Sequence, residues 1–127
     1  MGCETYHEPY EALSPSLRDM HRALVSLIEE LEAIDWYAQR AEICGDEELR
    51  AVLLHNRGEE IEHAMMNLEW IRRHDPDFNE NIRVYLQTSE PITQIEKEEE
   101  NAAQAEATAF SPGVFLRGLG IGSLRGR

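Results

Sequence analysis

Cysteines, aromatic residues and long apolar runs are all scarce in this sequence, and each scarcity excludes a class of protein. The 127 residues include only 2 cysteines, Cys3 and Cys44, which lie far apart and form no CxxC pair. This spacing fits neither a disulfide framework nor a redox motif, so we expect a reduced, intracellular protein. No apolar run approaches the ~20 residues of a transmembrane helix, and no secretory signal is visible at the N-terminus. We therefore expect a cytoplasmic location.

Basic residues are also scarce. The chain has 12 Lys and Arg against 25 Asp and Glu, which gives a formal net charge of −13. Because like charges repel, this balance argues against nucleic acid or an anionic membrane as a partner. A negative net charge favours the binding of cations, although an ordinary solvated acidic surface would give the same balance of charges. A short domain with only 7% aromatic residues often gains stability by burying a face against a partner.

The first long helix is predicted from Ser14 onward. Ser14 is a typical capping residue, and Pro15 follows at the one helical position that suits proline. Gly45 is expected to end this helix as a C-terminal breaker. Apolar residues recur at spacings of three and four, as in a heptad seam, at Leu17, Met20, Leu24, Leu27, Leu31, Ile34 and Ala38.

A second helix is predicted from Asp46, its capping residue, to about His74, where Asp75-Pro76 stops it. The connection at 44–46 is short, so the two helices should form an antiparallel hairpin. A third, shorter helix is expected over residues 78–86. The predicted fold class is therefore all-α.

The chain divides into three predicted regions. Residues 1–13 are polar and irregular, and residues 14–95 form the helical domain. Residues 96–110 are acidic and alanine-rich, which is compatible with either helix or disorder. From residue 111 onward the chain holds five of the eight glycines, so we expect residues 96–127 to end in a flexible tail.

The seam of the second helix contains an unusual polar pair. Its positions are Leu49, Leu53, Asn56, Glu60, His63, Asn67, Trp70 and His74. A purely structural helix would carry aliphatic residues in the middle, whereas here a carboxylate and an imidazole lie one turn apart. Together they form the ligand set favoured by iron, manganese or zinc. The alternative is a simple Glu–His hydrogen bond on a solvated face.

Glu30 in the first helix strengthens the metal interpretation. It borders the apolar seam, and both Glu30 and Glu60 lie about 15 positions from the turn. In an antiparallel hairpin the two carboxylates should therefore sit at the same height. We expect Glu30, Glu60 and His63 to meet.

These three residues are half of the ligand set of a known kind of metal site. Di-iron carboxylate bundles use four carboxylates and two histidines from four helices. Two copies of this chain, related by a two-fold axis, would supply that set. The site should then exist only at a dimer interface.

The segments 29–37 and 55–63, with the sequences EELEAIDWY and HNRGEEIEH, closely resemble the encapsulated ferritins. These are ferritin-like cargo proteins of encapsulin nanocompartments, and the resemblance covers about residues 7–95 plus the tail. It implies a helical-hairpin protomer that dimerises into a ferritin-like four-helix bundle with a di-iron ferroxidase centre. It also implies a ring of dimers, typically a decamer.

Residue roles follow from the resemblance by position. Glu30, Glu60 and His63 match the iron ligands, and Tyr37 lies beside the iron site. Gly58 departs from the family, which commonly has an acidic residue there. A second site for calcium or another divalent cation, on the route by which iron arrives, is implied at Glu29, Glu32 and Trp36.

The end of the chain fits the same family. Residues 119–125 resemble an encapsulin-targeting peptide, which implies an encapsulin shell protein as a partner and a location inside the nanocompartment. Apolar residues spaced along a glycine-rich strand can dock into shallow pockets.

The implied activity is oxidation of Fe(II) to Fe(III) by dioxygen, with the iron stored or detoxified in the shell. Two alternatives stay open. A rubrerythrin-like peroxidase would use the same di-iron site, although the absence of a CxxC pair counts against it. A non-catalytic helical interaction protein would hold a structural zinc at the Glu–His pair.

Overall fold

The computed structural model of the protein describes residues 6–110, and this part of the chain contains helices and no strand. The expected all-α class is thus confirmed, as are the helical hairpin and the short third helix. In chain order the elements are a single 3-10 turn at Tyr10–Ala12, α1 at Pro15–Ile43, α2 at Glu47–His74, α3 at Pro76–Tyr85 and α4 at Ile92–Ala109.

Side-chain caps fix the starts of α1 and α2, as the sequence predicts. The Ser14 hydroxyl accepts a hydrogen bond from the Leu17 N–H at 3.2 Å, and Pro15 is the first helical residue. Asp46 does the same for α2 by accepting from the Leu49 N–H at 2.7 Å. Both caps satisfy N–H groups that have no partner within the helix.

The connection between α1 and α2 differs from the prediction for Gly45. No glycine in the described range has a positive φ, so Gly45 does not end α1 in the left-handed conformation. The helix ends at Ile43, and Cys44 follows with φ −70° and ψ 119°. The chain is extended again at Asp46, which caps α2. The turn is therefore made by extended backbone that leads directly into the next cap.

The hairpin core is narrow. The helices α1 and α2 pack along each other, and the buried side chains of their contact are Ala41, Ala64 and Ile71. Two of these are alanines, which let the helix backbones approach closely. Many larger apolar side chains stay partly exposed in the single chain, among them Leu31, Leu54, Ile61 and Met65. An apolar surface of this extent is typical of a helix pair that packs against another molecule.

The start of α3 lies two residues before the predicted one. Asp75 accepts hydrogen bonds from the N–H groups of Asp77 and Phe78, at 2.9 and 3.0 Å. Pro76 then takes the first helical position. The Asp75-Pro76 pair is therefore a helix start as well as a helix stop, for the same reason that Ser14-Pro15 starts α1.

An ion-pair cluster stabilises the end of α2. The Glu69 carboxylate accepts from Arg72 at 2.7 and 2.8 Å and from Arg73 at 3.0 Å. These guanidinium groups lower the pKa of Glu69 to about 2. Arg72 also donates to the Asn79 side chain at 2.6 Å, which links α2 to α3.

The described part of the N-terminal segment, residues 6–13, contacts α1 and includes the 3-10 turn. Arg18 donates from Nε and Nη2 to the Tyr10 carbonyl, at 3.1 and 2.7 Å. Its guanidinium also lies 3.9 Å from the centre of the Tyr10 ring. The Tyr6 ring contacts His21 with centroids 4.1 Å apart. These contacts hold the 3-10 turn on the first turns of α1.

The helix α4 belongs to a second compact unit of the chain. It begins after Pro91 and runs through the acidic residues to Ala109, so residues 96–109 are helical. The predicted boundary between residues 95 and 96 falls inside this helix. The predicted flexible tail from residue 111 and the targeting segment 119–125 lie outside the described residues. None of the helices within residues 6–110 has the length and apolar content needed to cross a bilayer.

Candidate metal centre

The hairpin brings Glu30, Glu60 and His63 together. One ligand atom from each residue lies within 4.8 Å of the others. His63 Nδ1 is 3.2 Å from a Glu60 oxygen and 3.9 Å from a Glu30 oxygen. Separations of this size fit donors grouped around one small cation.

The local sequence explains this meeting. Glu60 and His63 are three residues apart on α2, so they project from the same face one turn from each other. Glu30 reaches them from α1 because Glu30 and Glu60 are equally far along the chain from the short connection. Register and helical spacing are thus sufficient to assemble the cluster.

The two carboxylates have opposite pKa shifts. The pKa of Glu30 is raised, mainly by its hydrogen bond with Glu60 and then by burial. The pKa of Glu60 is lowered by the hydrogen bonds with Glu30 and with His63. Glu30 therefore binds a proton more readily than Glu60 does. A bound cation would compete with protons for the pair, because it compensates both negative charges.

The cluster is open on one side. The His63 side chain is 48% exposed, while Glu30 and Glu60 are 24% and 22% exposed. Carboxylate oxygen and imidazole nitrogen fit iron, manganese or zinc. Three donors from one chain leave coordination positions that must be filled from outside the chain.

Further along the α2 seam, Trp70 and His74 contact each other. Their rings stack with centroids 3.9 Å apart, and His74 Nδ1 donates to the Trp70 carbonyl at 2.7 Å. Neither residue contributes to the metal cluster found within residues 6–110. The chemistry of the seam is therefore confined to its middle.

The predicted second cation site is not assembled within one chain. Glu29, Glu32 and Trp36 follow one stripe of α1, but no cluster of metal donors forms around them in the described part of the chain. Half of the Trp36 side chain is exposed, and it lines an open concavity with Gln39 and Arg40. The role of these three residues stays a prediction.

Tyr37 lies on the Glu30 side of α1, two turns further along. The Tyr37 ring contacts Arg40, whose Cζ lies 5.5 Å from the centre of the ring. No hydrogen bond described for residues 6–110 joins Tyr37 to the three clustered residues. Sequence reasoning missed Arg40, although its spacing of three from Tyr37 is a usable signal.

Comparisons with known proteins identify the family of the chain. Residues 5–89 match the sequence profile of the EncFtn-like family. The chain is 49% identical over 123 residues to an encapsulated ferritin-like protein of Rhodospirillum rubrum, covering 94% of this chain and 87% of that protein. It is 50% identical over 111 residues to a ferritin-like protein of Thermotoga maritima, covering 87% of this chain and 96% of the relative.

The fold has a counterpart of known crystal structure. A protein of Nitrosomonas europaea superimposes with a TM-score of 0.69 at 57% identity, covering 70% of this chain and 98% of that one. The profile match spans well over half of the chain, and the two relatives named above match most of it. The chain therefore belongs to the EncFtn-like family of encapsulated ferritins.

Proposed function

We propose that this protein is a ferroxidase, which oxidises Fe(II) to Fe(III) with dioxygen at a di-iron centre shared by two copies of the chain. The observation that carries this proposal is the cluster of Glu30, Glu60 and His63, whose ligand atoms lie within 4.8 Å of one another. Membership of a ferritin-like family supports iron as the metal.

The count of donors favours a shared centre. Each chain contributes two carboxylates and one imidazole, which is half of the set used in di-iron carboxylate bundles. A two-fold axis beside the open side of the cluster would bring two such halves together. The exposed apolar side chains of the hairpin supply surface for that contact.

The donor set suits the reaction. Hard carboxylate oxygens stabilise the ferric product more than the ferrous substrate, because they compensate its higher charge. Protons compete with iron for Glu30, because its raised pKa makes it the carboxylate that is protonated first as the pH falls.

The proposed role of the acidic surface, which includes Glu29 and Glu32, is to deliver iron to the centre. A net charge of −13 raises the local concentration of Fe(II) around the protein. Glu29, Glu32 and Trp36 would form a second site, for calcium or another divalent cation, on the route to the centre. Completing that site requires donors from another chain.

Family membership supports a proposal for assembly and location. We propose a ring of dimers, typically a decamer, held by the apolar faces of the hairpins. One relative is named an encapsulated ferritin-like protein, and we propose that this chain is likewise the cytoplasmic cargo of an encapsulin shell protein. Residues 119–125 would bind the shell, and the shell would store the ferric product.

The test is stopped-flow absorbance after anaerobic loading with Fe(II) and mixing with dioxygen. Wild-type protein should give a rapid ferric signal, and Glu60→Ala should abolish it. Glu59→Ala is the matched control, since the neighbouring glutamate pairs only with His55 at 3.6 Å among the described residues. A structural zinc protein would give no oxidation signal even in the wild type. A peroxidase would respond to hydrogen peroxide and not to dioxygen.

A further inference from the structure

A phenol lies on the metal side of α1 without a hydrogen bond to fix it. Tyr37 follows Glu30 by seven residues, which places it about 10 Å further along the helix axis and about 20° around it. Its side chain is partly buried, and no hydrogen bond to its hydroxyl occurs within residues 6–110. The orientation of this ring must therefore be set by packing.

Arg40 supplies that packing. Its guanidinium carbon lies 5.5 Å from the centre of the Tyr37 ring, within the range of a cation–π contact. Other arginines of α1 bind oxygen atoms: Arg18 donates to the Tyr10 carbonyl and Arg22 to Asp19. In the described part of the chain, Arg40 forms neither an ion pair nor a hydrogen bond, so the ring is its specific partner.

Arg40 is exposed and lines an open concavity together with Trp36 and Gln39. Gln39 is itself held by a 2.8 Å hydrogen bond to Asp35. Arg40 therefore borders both this concavity and the Tyr37 ring. A cation on one side of the ring favours the rotamers that keep the contact and disfavours those that turn the phenol away.

We propose that Arg40 is a positioning residue for Fe(II) oxidation, and that it acts by holding the Tyr37 ring so that the phenol stays on the metal side of the hairpin. This inference rests on the proposed ferroxidase function. Arg40 itself touches no metal ligand, so its loss should slow oxidation and leave iron binding unchanged.

The expected effect is modest. Exposed cation–π contacts correspond to about a two- to fivefold change in a population, or roughly 0.5–1 kcal/mol. Arg40→Gln should therefore slow oxidation two- to fivefold. Arg40→Lys keeps the cation and should restore most of the rate. Arg50→Gln is the control, because it removes one exposed positive charge elsewhere on the hairpin.

The experiment is a double-mutant cycle with three measurements. Oxidation rates are compared for Arg40→Gln in the wild-type background and in a Tyr37→Leu background. Co(II) titration of each variant measures metal affinity. The NMR shifts of the Tyr37 ring protons and of the Arg40 side chain in metal-free protein report whether the guanidinium and the ring are in contact.

The inference predicts that Arg40→Gln shifts the Tyr37 ring signals, keeps Co(II) affinity and has no further effect once Tyr37 is leucine. Equal slowing in both backgrounds, or equal slowing by Arg50→Gln, would overturn it. The NMR comparison decides the positioning role even if wild-type protein fails to oxidise Fe(II). In that case the missing wild-type signal refutes the proposed function, whereas unchanged ring shifts refute the role of Arg40.

Discussion

The contact between α1 and α2 has buried apolar positions on either side of a polar, partly exposed middle. Ala41, towards the connection, and Ala64 and Ile71, beyond the metal cluster, are closed and fully apolar. The positions between them carry Glu30, Glu60 and His63, and the imidazole there is about half exposed, at 48%. The contact therefore has closed apolar flanks, which are buried from solvent, and a polar middle that is open to solvent.

The difference shows what each kind of position needs for stability. The closed positions are satisfied within one chain, because small side chains let the helices meet. The open positions place two carboxyl groups against each other, and their interaction raises the pKa of Glu30 and lowers that of Glu60. A cation and a second copy of the chain would satisfy them better. The closed flanks hold the hairpin together, whereas the open middle brings the three candidate metal ligands together.

The largest expected effect comes from removing a donor in the open middle. His63→Ala should lower the affinity for Fe(II) or Co(II) on the order of a hundredfold or more, because it removes a direct ligand. His55→Ala is the matched control, since His55 is an exposed histidine of the same helix. Metal titration of both variants checks this, and equal affinities for the two would contradict the site.

The next effect tests a closed position. Ile71 is fully buried, so Ile71→Ala should lower the free energy of unfolding by about 2–5 kcal/mol. Ile43→Ala, at an exposed residue of α1, should change it by about 0.5 kcal/mol or less. Urea unfolding of metal-free protein at one fixed concentration makes the comparison. Similar losses for the two variants would show that the flank is not closed.

The raised pKa of Glu30 predicts a pH dependence of metal binding. Protons compete with metal for this carboxylate, so affinity should fall as the pH falls through the raised pKa. Calorimetric titration with Co(II) in buffers of different ionisation enthalpy measures the proton released. Glu30→Gln should bind more weakly and should not release this proton. Release of the same amount by the variant would place the proton elsewhere.

The smallest effect concerns Gly58, the departure from the family pattern. It lies inside α2, and an added Cβ would meet no atom within 4 Å in the single chain. Gly58→Ala should therefore stabilise the protein by about 1 kcal/mol through helix propensity. Thermal unfolding and assembly size are measured together. Destabilisation with loss of assembly would instead place Gly58 at a contact between copies.

Much of the hairpin could be predicted because its signals are local. Ser14 and Asp46 mark the starts of α1 and α2 by capping chemistry, and the spacing of apolar residues gives the helices their length. The meeting of Glu30 with Glu60 follows from equal distances to the connection. No long-range information is needed for these features.

Other features depend on information that spacing does not carry. Residues 96–110 are acidic and alanine-rich, a composition that both a helix and a disordered segment can have, so their sequence left both open. The contacts of Arg18 with Tyr10 and of Arg40 with Tyr37 depend on rotamers. Gly45 was expected to end α1 in the left-handed conformation, but extended backbone leading into the cap of α2 forms the turn instead. The predicted second cation site is not assembled by the described residues of one chain.

The central claim is that each chain holds half of a metal centre. Analytical ultracentrifugation with metal analysis of the same fractions, before and after loading with Fe(II), tests it most directly. The claim predicts about one iron per chain, found only in even-numbered assemblies. Single chains that bind iron as tightly as the assemblies do would contradict it.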